Sequence, residues 1–268
     1  MHIDRNTLFQ HLWDNYRQVT PSADEIHRIL GAAEGQSIVN DHIALRTFNL
    51  APVGLEALAK HFTSLGYYQG GEYHFEAKKL YARHYEHPDP LAPKVFISEL
   101  LTEQCSKELQ TIAGELVLQV DPEDVLADNF LYSGRHWSVD YATYEALLQE
   151  SEYAAWLAAW GFRANHFTVS VNQLSQYHTV AEINQLLKDN GYRVNRSGGE
   201  IKGSPEELLE QSSTMADRVP VRFSDRTEAI PSCFYEFALR YPDTSGKLYP
   251  GFVAASADKI FESTNATG

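Results

Sequence analysis

Residues 40–50 read NDHIALRTFNL, and this stretch decides the fold once its counterpart is found at 165–172, NHFTVSVN. Both read as strands, because apolar and β-branched residues alternate with polar ones at a period of two. Each carries a histidine near its start, His42 and His166. The segments after the two strands also match. A helical stretch comes next, 52–66 in one case and 179–190 in the other, and then a Gly-Tyr pair: Gly66-Tyr67, 24 residues after His42, and Gly191-Tyr192, 25 after His166. GGE recurs at 70–72 and 198–200, and each unit closes on an apolar strand with one glutamate, Glu99 in VFISELL and Glu236 in CFYEFAL. A Gly-Tyr pair after a helix is ordinary capping chemistry taken alone. Four landmarks in one order at nearly matching spacing predict a duplicated β-α-β-β-β unit.

The expected fold class is therefore α+β, two β-α-β-β-β units forming a half-open barrel with an added helical segment. A single catalytic domain is expected over 1–268: N-terminal helices at 1–37, of which 5–33 has helical periodicity, a first unit at 38–100, a helical insert at 101–160, a second unit at 161–242 and a tail at 243–268. The tail has a helical stretch in ASADKIFES, and the insert's Trp137, Trp156 and Trp160 read as core.

Composition excludes several classes of function. With 22 basic against 36 acidic residues the formal net charge is −14, which disfavours a nucleic-acid partner, since such affinity comes from basic patches that release counterions. No apolar run reaches the length of about 18 residues that a membrane helix requires. The opening MHIDRNTLFQ is unlike a signal peptide, and the two cysteines, Cys105 and Cys233, read as reduced and buried, so a cytoplasmic protein is expected. A small-molecule partner fits best, and an anionic one needs a local cation.

Alternation on the strands supplies both. His42, Ala44 and Arg46 share one face of the first strand, His166, Thr168 and Ser170 one face of the second, and Glu236 shares its face with Phe234 and Ala238. Where the inner faces of a half-barrel converge, two imidazoles and one carboxylate bind one side of a divalent ion and leave positions open, the pattern of a non-haem Fe(II) oxygenase. His42, His166 and Glu236 are the expected metal ligands, with Glu99 open as an alternative to Glu236. Arg46 is the expected substrate-binding and catalytic cation for a carboxylate. Other stretches carry less: the His74, His84 and His87 cluster with Glu76 and Glu86 reads as a solvated face, and QSSTMADRV at 211–219 as a polar loop. There is no glycine-rich phosphate loop, GxSxG or HExxH. From the residues alone, a redox enzyme, a non-redox divalent-metal isomerase, lyase or hydrolase, and a metal-free anion-binding module all remain open.

DHIALRTF, NHFTVSVN, YEFALR and YPGFVAASADKIFEST together make the chain resemble the DUF1338 family, whose characterised members are iron-dependent 2-oxoadipate dioxygenase/decarboxylases of lysine catabolism with a vicinal oxygen chelate-like fold. The resemblance implies Fe(II) as cofactor, another divalent metal being acceptable to the same ligands, with His42, His166 and Glu236 holding it and Arg46 meeting a substrate carboxylate. It implies a 2-oxo acid and O2 as partners, with 2-oxoadipate converted to 2-hydroxyglutarate and CO2.

Overall fold

The computed structural model of the chain describes residues 4–31 and 38–265. The opening helical stretch is two helices, α1 (Arg5–Gln18) and α2 (Ser22–Ile29), and the last two residues of the expected 5–33 lie outside the described residues. Asp4 starts α1 by accepting a hydrogen bond from the Thr7 amide at 2.9 Å, which satisfies a donor the first turn leaves free. Leu8, Leu12 and Tyr16 then recur every four residues and form its buried stripe.

The first unit is β1 (Asn40–Phe48), α3 (Leu55–Thr63), β2 (Tyr68–Phe75), β3 (Leu80–Glu86) and β4 (Lys94–Leu100). Three helices come after it, α4 (Lys107–Val117), α5 (Tyr141–Glu150) and α6 (Glu152–Trp160). The second unit is β5 (Ala164–Ser170), α7 (Val180–Asp189), β6 (Lys202–Ser204), β7 (Leu209–Ser213), an added hairpin of β8 (Arg218–Arg222) and β9 (Thr227–Pro231), and β10 (Phe234–Arg240). The hairpin forms a separate two-stranded sheet. The remaining strands form one sheet in the order β2-β3-β4-β1-β5-β10-β7-β6, curled into a half-barrel. Each half mirrors the other: β4 runs parallel beside β1, β10 runs parallel beside β5, and β1 and β5 join the halves antiparallel.

The Gly-Tyr landmarks are equivalent in space. Gly66 and Gly191 have φ of 93° and 82°, and the next amide bonds back to the helix, Tyr67 to the Phe62 carbonyl and Tyr192 to that of Leu187. The GGE landmarks are not equivalent. Residues 70–72 lie within β2, whereas Gly198 and Gly199 make a left-handed turn before β6. The stretch 211–219 also departs from the expected loop, since 211–213 belong to β7.

Helix α6 is buried from Tyr153 to Trp160, so it lies within the core rather than on its surface. The indole N–H groups of Trp137, Trp156 and Trp160 donate to the carbonyls of Ala158, Ser232 and Pro231. All three tryptophans are core, as their sequence context suggests. The C-terminal α8 (Ala254–Ile260) and a 3-10 turn at Phe261–Thr264 pack against the inner face of the sheet, with Phe252 buried and Phe261 half-buried against the core.

Candidate metal centre

Strands β1 and β5 bring the two histidines together at the seam between the halves. The ring centroids of His42 and His166 are 5.6 Å apart and nearly perpendicular. Glu236, on β10, lies beside Thr168 in the parallel ladder and projects to the same side. One ligand atom from each of His42, His166 and Glu236 falls within 4.8 Å of the other two, and all three residues are buried.

The local geometry fits a metal better than a closed hydrogen-bond network. Glu236 Oε2 lies 3.0 Å from His166 Nε2, but the pair lacks the direction of a hydrogen bond, and Oε2 is a buried oxygen without a hydrogen-bond partner. Its other oxygen, Oε1, accepts from the Gln211 amide at 2.6 Å and stands 3.5 Å from His42 Nε2. A buried carboxylate left half satisfied is costly, and a cation held by the three groups would satisfy it. Burial pushes the Glu236 carboxyl up, but the two imidazoles and the Gln211 amide more than offset this and hold it below the usual glutamate value. Burial pushes His166 down, toward its neutral form, against the pull of Glu236. An ionised carboxylate and a neutral imidazole are the forms that bind metal.

Two bulges fix the far side of each imidazole. Asn40 pairs with Val169 and His42 with Thr168, which leaves Asp41 as an extra residue on β1; Ala44 pairs with His166 and Leu45 with Ala164, which leaves Asn165 extra on β5. A bulge breaks the alternation of side chains and re-aims the residues at it. Asp41 Oδ1 thus lies 2.8 Å from His42 Nδ1, and Asn165 Oδ1 lies 3.1 Å from His166 Nδ1. Both contacts favour a proton on Nδ1 and a lone pair on Nε2, which faces the centre. The sequence reading missed Asp41 and Asn165. Their signal was a polar residue directly before each histidine, DH and NH.

Arg46 shares the inner face of β1 and is close enough for its charge to act on His166. Its guanidinium lies 4.9–5.6 Å from the ring centres of Trp156, Tyr153 and Phe261, and Nη2 donates to Thr264 Oγ1 at 3.1 Å. Nε and Nη1 are buried with no hydrogen-bond partner. A cavity of about 200 Å³ is lined by Arg46, Glu152, Tyr153 and Phe261, with Lys78 and Lys79 also on its wall.

Glu99 is not at the centre. Aligning His42 with His166 sets Ala44 opposite Thr168, and their ladder partners are Phe96 and Glu236. The counterpart of Glu236 is therefore Phe96. Glu99 lies an odd number of residues farther on and faces outward, where its carboxylate accepts from the Leu55 amide at 2.8 Å at the start of α3. His84 corrects a second expectation: it is 2% exposed rather than solvated, because β3 turns it inward against Tyr73 and Phe252.

A family model described as 2-oxoadipate dioxygenase/decarboxylase matches residues 4–126 and 118–247. A crystal structure from Shewanella frigidimarina NCIMB 400, provisionally described as a hydrolase, is 62% identical, with a TM-score of 0.91 over 95% of this chain and 100% of that one. Hydroxyglutarate synthase from Oryza sativa, solved in complex with 2-oxoadipate, is 34% identical, with a TM-score of 0.91 over 97% of this chain and 92% of that one. A Ralstonia eutropha JMP134 structure assigned to the glyoxalase superfamily, at 23% identity and a TM-score of 0.70 over 92% of this chain and 85% of that one, shares the fold. That likeness bears out the vicinal oxygen chelate-like half-barrel expected from the sequence.

Proposed function

We propose a reaction from one premise: the chain belongs to the 2-oxoadipate dioxygenase/decarboxylase family. It is an Fe(II) enzyme that takes a 2-oxo acid and O2, with 2-oxoadipate as substrate and 2-hydroxyglutarate and CO2 as products. The atoms balance: the substrate's first carboxylate leaves as CO2, and both atoms of one O2 end in the hydroxy acid, one in the new carboxylate and one in the hydroxyl. His42, His166 and Glu236 are the metal ligands, and Arg46 binds a substrate carboxylate. A cytoplasmic location accords with two unpaired, buried cysteines.

The observation that carries this reading is a pair of unmet demands on one inner face: a buried Glu236 oxygen at the histidine pair, and a buried Arg46 with two unpartnered N–H groups. The first calls for a cation and the second for an anion. A 2-oxo acid held by a metal at one point and by Arg46 at another answers both. Iron, when bound, supplies the chelation of the 2-oxo acid and the redox chemistry with O2. The chain's residues do the rest. Gln211 anchors one Glu236 oxygen, Asp41 and Asn165 orient the imidazoles, and Arg46 fixes the acid. Phe252, Phe234 and Trp156 surround the centre and the arginine with apolar surface, which strengthens the ionic contacts by excluding water.

Anaerobic reconstitution with Fe(II), followed by O2 uptake and CO2 release on adding 2-oxoadipate, tests the proposal. Uptake matched by CO2, lost in His166→Ala and with KM raised at least tenfold in Arg46→Met, is the expected result. Tight metal binding without uptake on any 2-oxo acid would overturn it and favour a non-redox metal enzyme, the reading closer to the description of the Shewanella relative.

A further inference from the structure

Asp41 does more than meet His42. Its two oxygens take a bidentate pair from Arg240, Oδ2 from Nε at 2.7 Å and Oδ1 from Nη2 at 2.9 Å, and both side chains are buried. The remaining Arg240 nitrogen, Nη1, donates to the carbonyls of Tyr249 and Gly251 at 2.9 and 2.7 Å. Those carbonyls flank the turn that delivers Phe252, whose ring meets the His42 ring edge to face at 4.7 Å and whose amide donates to Tyr73 Oη at 3.1 Å. The Arg240 guanidinium also lies 5.1 Å from the Phe252 ring centre. One buried arginine therefore touches the partner of a ligand histidine and the segment that covers that histidine.

We infer that Asp41 and Arg240 are positioning residues that join two events: presenting His42 Nε2 to the metal, and seating the 249–252 turn over the centre. The inference rests on the metal assignment of the proposed function. Asp41 holds the Nδ1–H tautomer and the ring angle, and Arg240 prevents Asp41 from turning away. A closed turn excludes water from His42, and an ordered His42 gives Phe252 a surface to pack on. The second unit supplies an internal contrast. His166 has a neutral amide, Asn165, in the same place, so the tautomer needs only an acceptor oxygen. The charge on Asp41 serves Arg240, and through it the turn.

The test is anaerobic titration of the full chain with Co(II), with visible absorption as the readout of ligand geometry. Wild type should bind one equivalent. Asp41→Ala should bind 10–100-fold more weakly with shifted bands, and Asp41→Asn should recover most of the affinity because its amide oxygen still accepts from Nδ1. Amide hydrogen exchange at 249–252 should slow on Co(II) binding in wild type and be insensitive to it in Arg240→Gln or Asp41→Asn, where the charged pair is gone. Unchanged affinity and spectrum in a folded Asp41→Ala would overturn the role of Asp41, and exchange at 249–252 indifferent to Co(II) in wild type would overturn the coupling. A wild type that binds no Co(II) would instead break the metal assignment itself.

Discussion

The first unit places Phe96 where the second places Glu236, each on the strand parallel to its unit's first strand and beside equivalent residues of that strand, Ala44 and Thr168. Duplication gives each unit an equivalent strand, and so two histidines that meet at the seam. With the proposed ligand set, a carboxylate copied as well would bring a fourth protein ligand and a second negative charge into one buried site, and would take a position the proposed substrate needs. Phe96 instead packs on Phe252 and closes the first half with apolar surface. The first half carries its buried charge on Arg46 instead, a few residues along β1. Symmetry thus builds the frame, and single residues that break it divide the charges that the proposed function uses, a carboxylate for the metal in one half and a guanidinium for the substrate in the other.

The strongest way to break that comparison is to remove the asymmetric carboxylate. Glu236→Gln keeps the shape but leaves two imidazoles and no charge. Divalent-metal affinity should fall by more than the 10–100-fold that outer partners cost. Co(II) titration of the folded variant measures it. Binding within a few-fold of wild type would mean that the carboxylate is not a ligand.

Much of this site is legible in the sequence for physical reasons. Alternation on two strands is enough to place His42, Arg46 and His166 on one face, because a period-two pattern survives whatever the rest of the fold does. The same rule cannot choose between Glu99 and Glu236. Choosing needs the ladder register, and a shift by an odd number of residues exchanges inner and outer faces. Asp41 and Asn165 are hidden by the same rule, since strict alternation sends each to the face opposite its histidine and only the bulges bring them round. Arg240, Phe252 and Thr264 meet β1 from about 200 residues away in sequence, a distance that no local pattern spans.

Each half also turns a lysine to its inner face, half-buried Lys94 in one and buried Lys202 in the other, and the two differ in partners. Lys94 has Glu86 at 3.6 Å. Lys202 donates to the Asn195 carbonyl at 2.5 Å and has no carboxylate in ion-pair reach among the described residues. Burial pushes Lys202 down to about 8 from its ordinary 10.5, against the pull of Glu236 and Glu200. The unfolded chain keeps this proton up to about 10.5 and the folded chain releases it near 8, so between those values the unfolded state binds more protons and stability rises with pH. The gain expected from this residue is on the order of 2 kcal/mol. Urea unfolding of wild type and Lys202→Met across pH 7.5–10.5 isolates it, because the other titrations cancel in the difference. A difference that does not change with pH would show that Lys202 stays charged when folded.

The smallest effect separates the two glutamates. Glu99 places its carboxylate at the N-terminus of α3, against the first amide of the helix, where negative charge and the free N–H groups attract. Burial raises the Glu99 carboxyl by more than the Leu55 amide lowers it, so the charge adds no net stability, and Glu99→Gln, whose amide oxygen still accepts from Leu55, should shift urea unfolding by no more than about 0.5 kcal/mol. Metal affinity should not change, because Glu99 and the histidines lie on opposite faces of the sheet. The same substitution is thus made at two glutamates that the sequence presents as equivalents, with opposite outcomes: a lost metal at Glu236 and an almost unchanged protein at Glu99. A loss of Co(II) binding in Glu99→Gln comparable to that in Glu236→Gln would contradict the ladder register and return Glu99 to the ligand set.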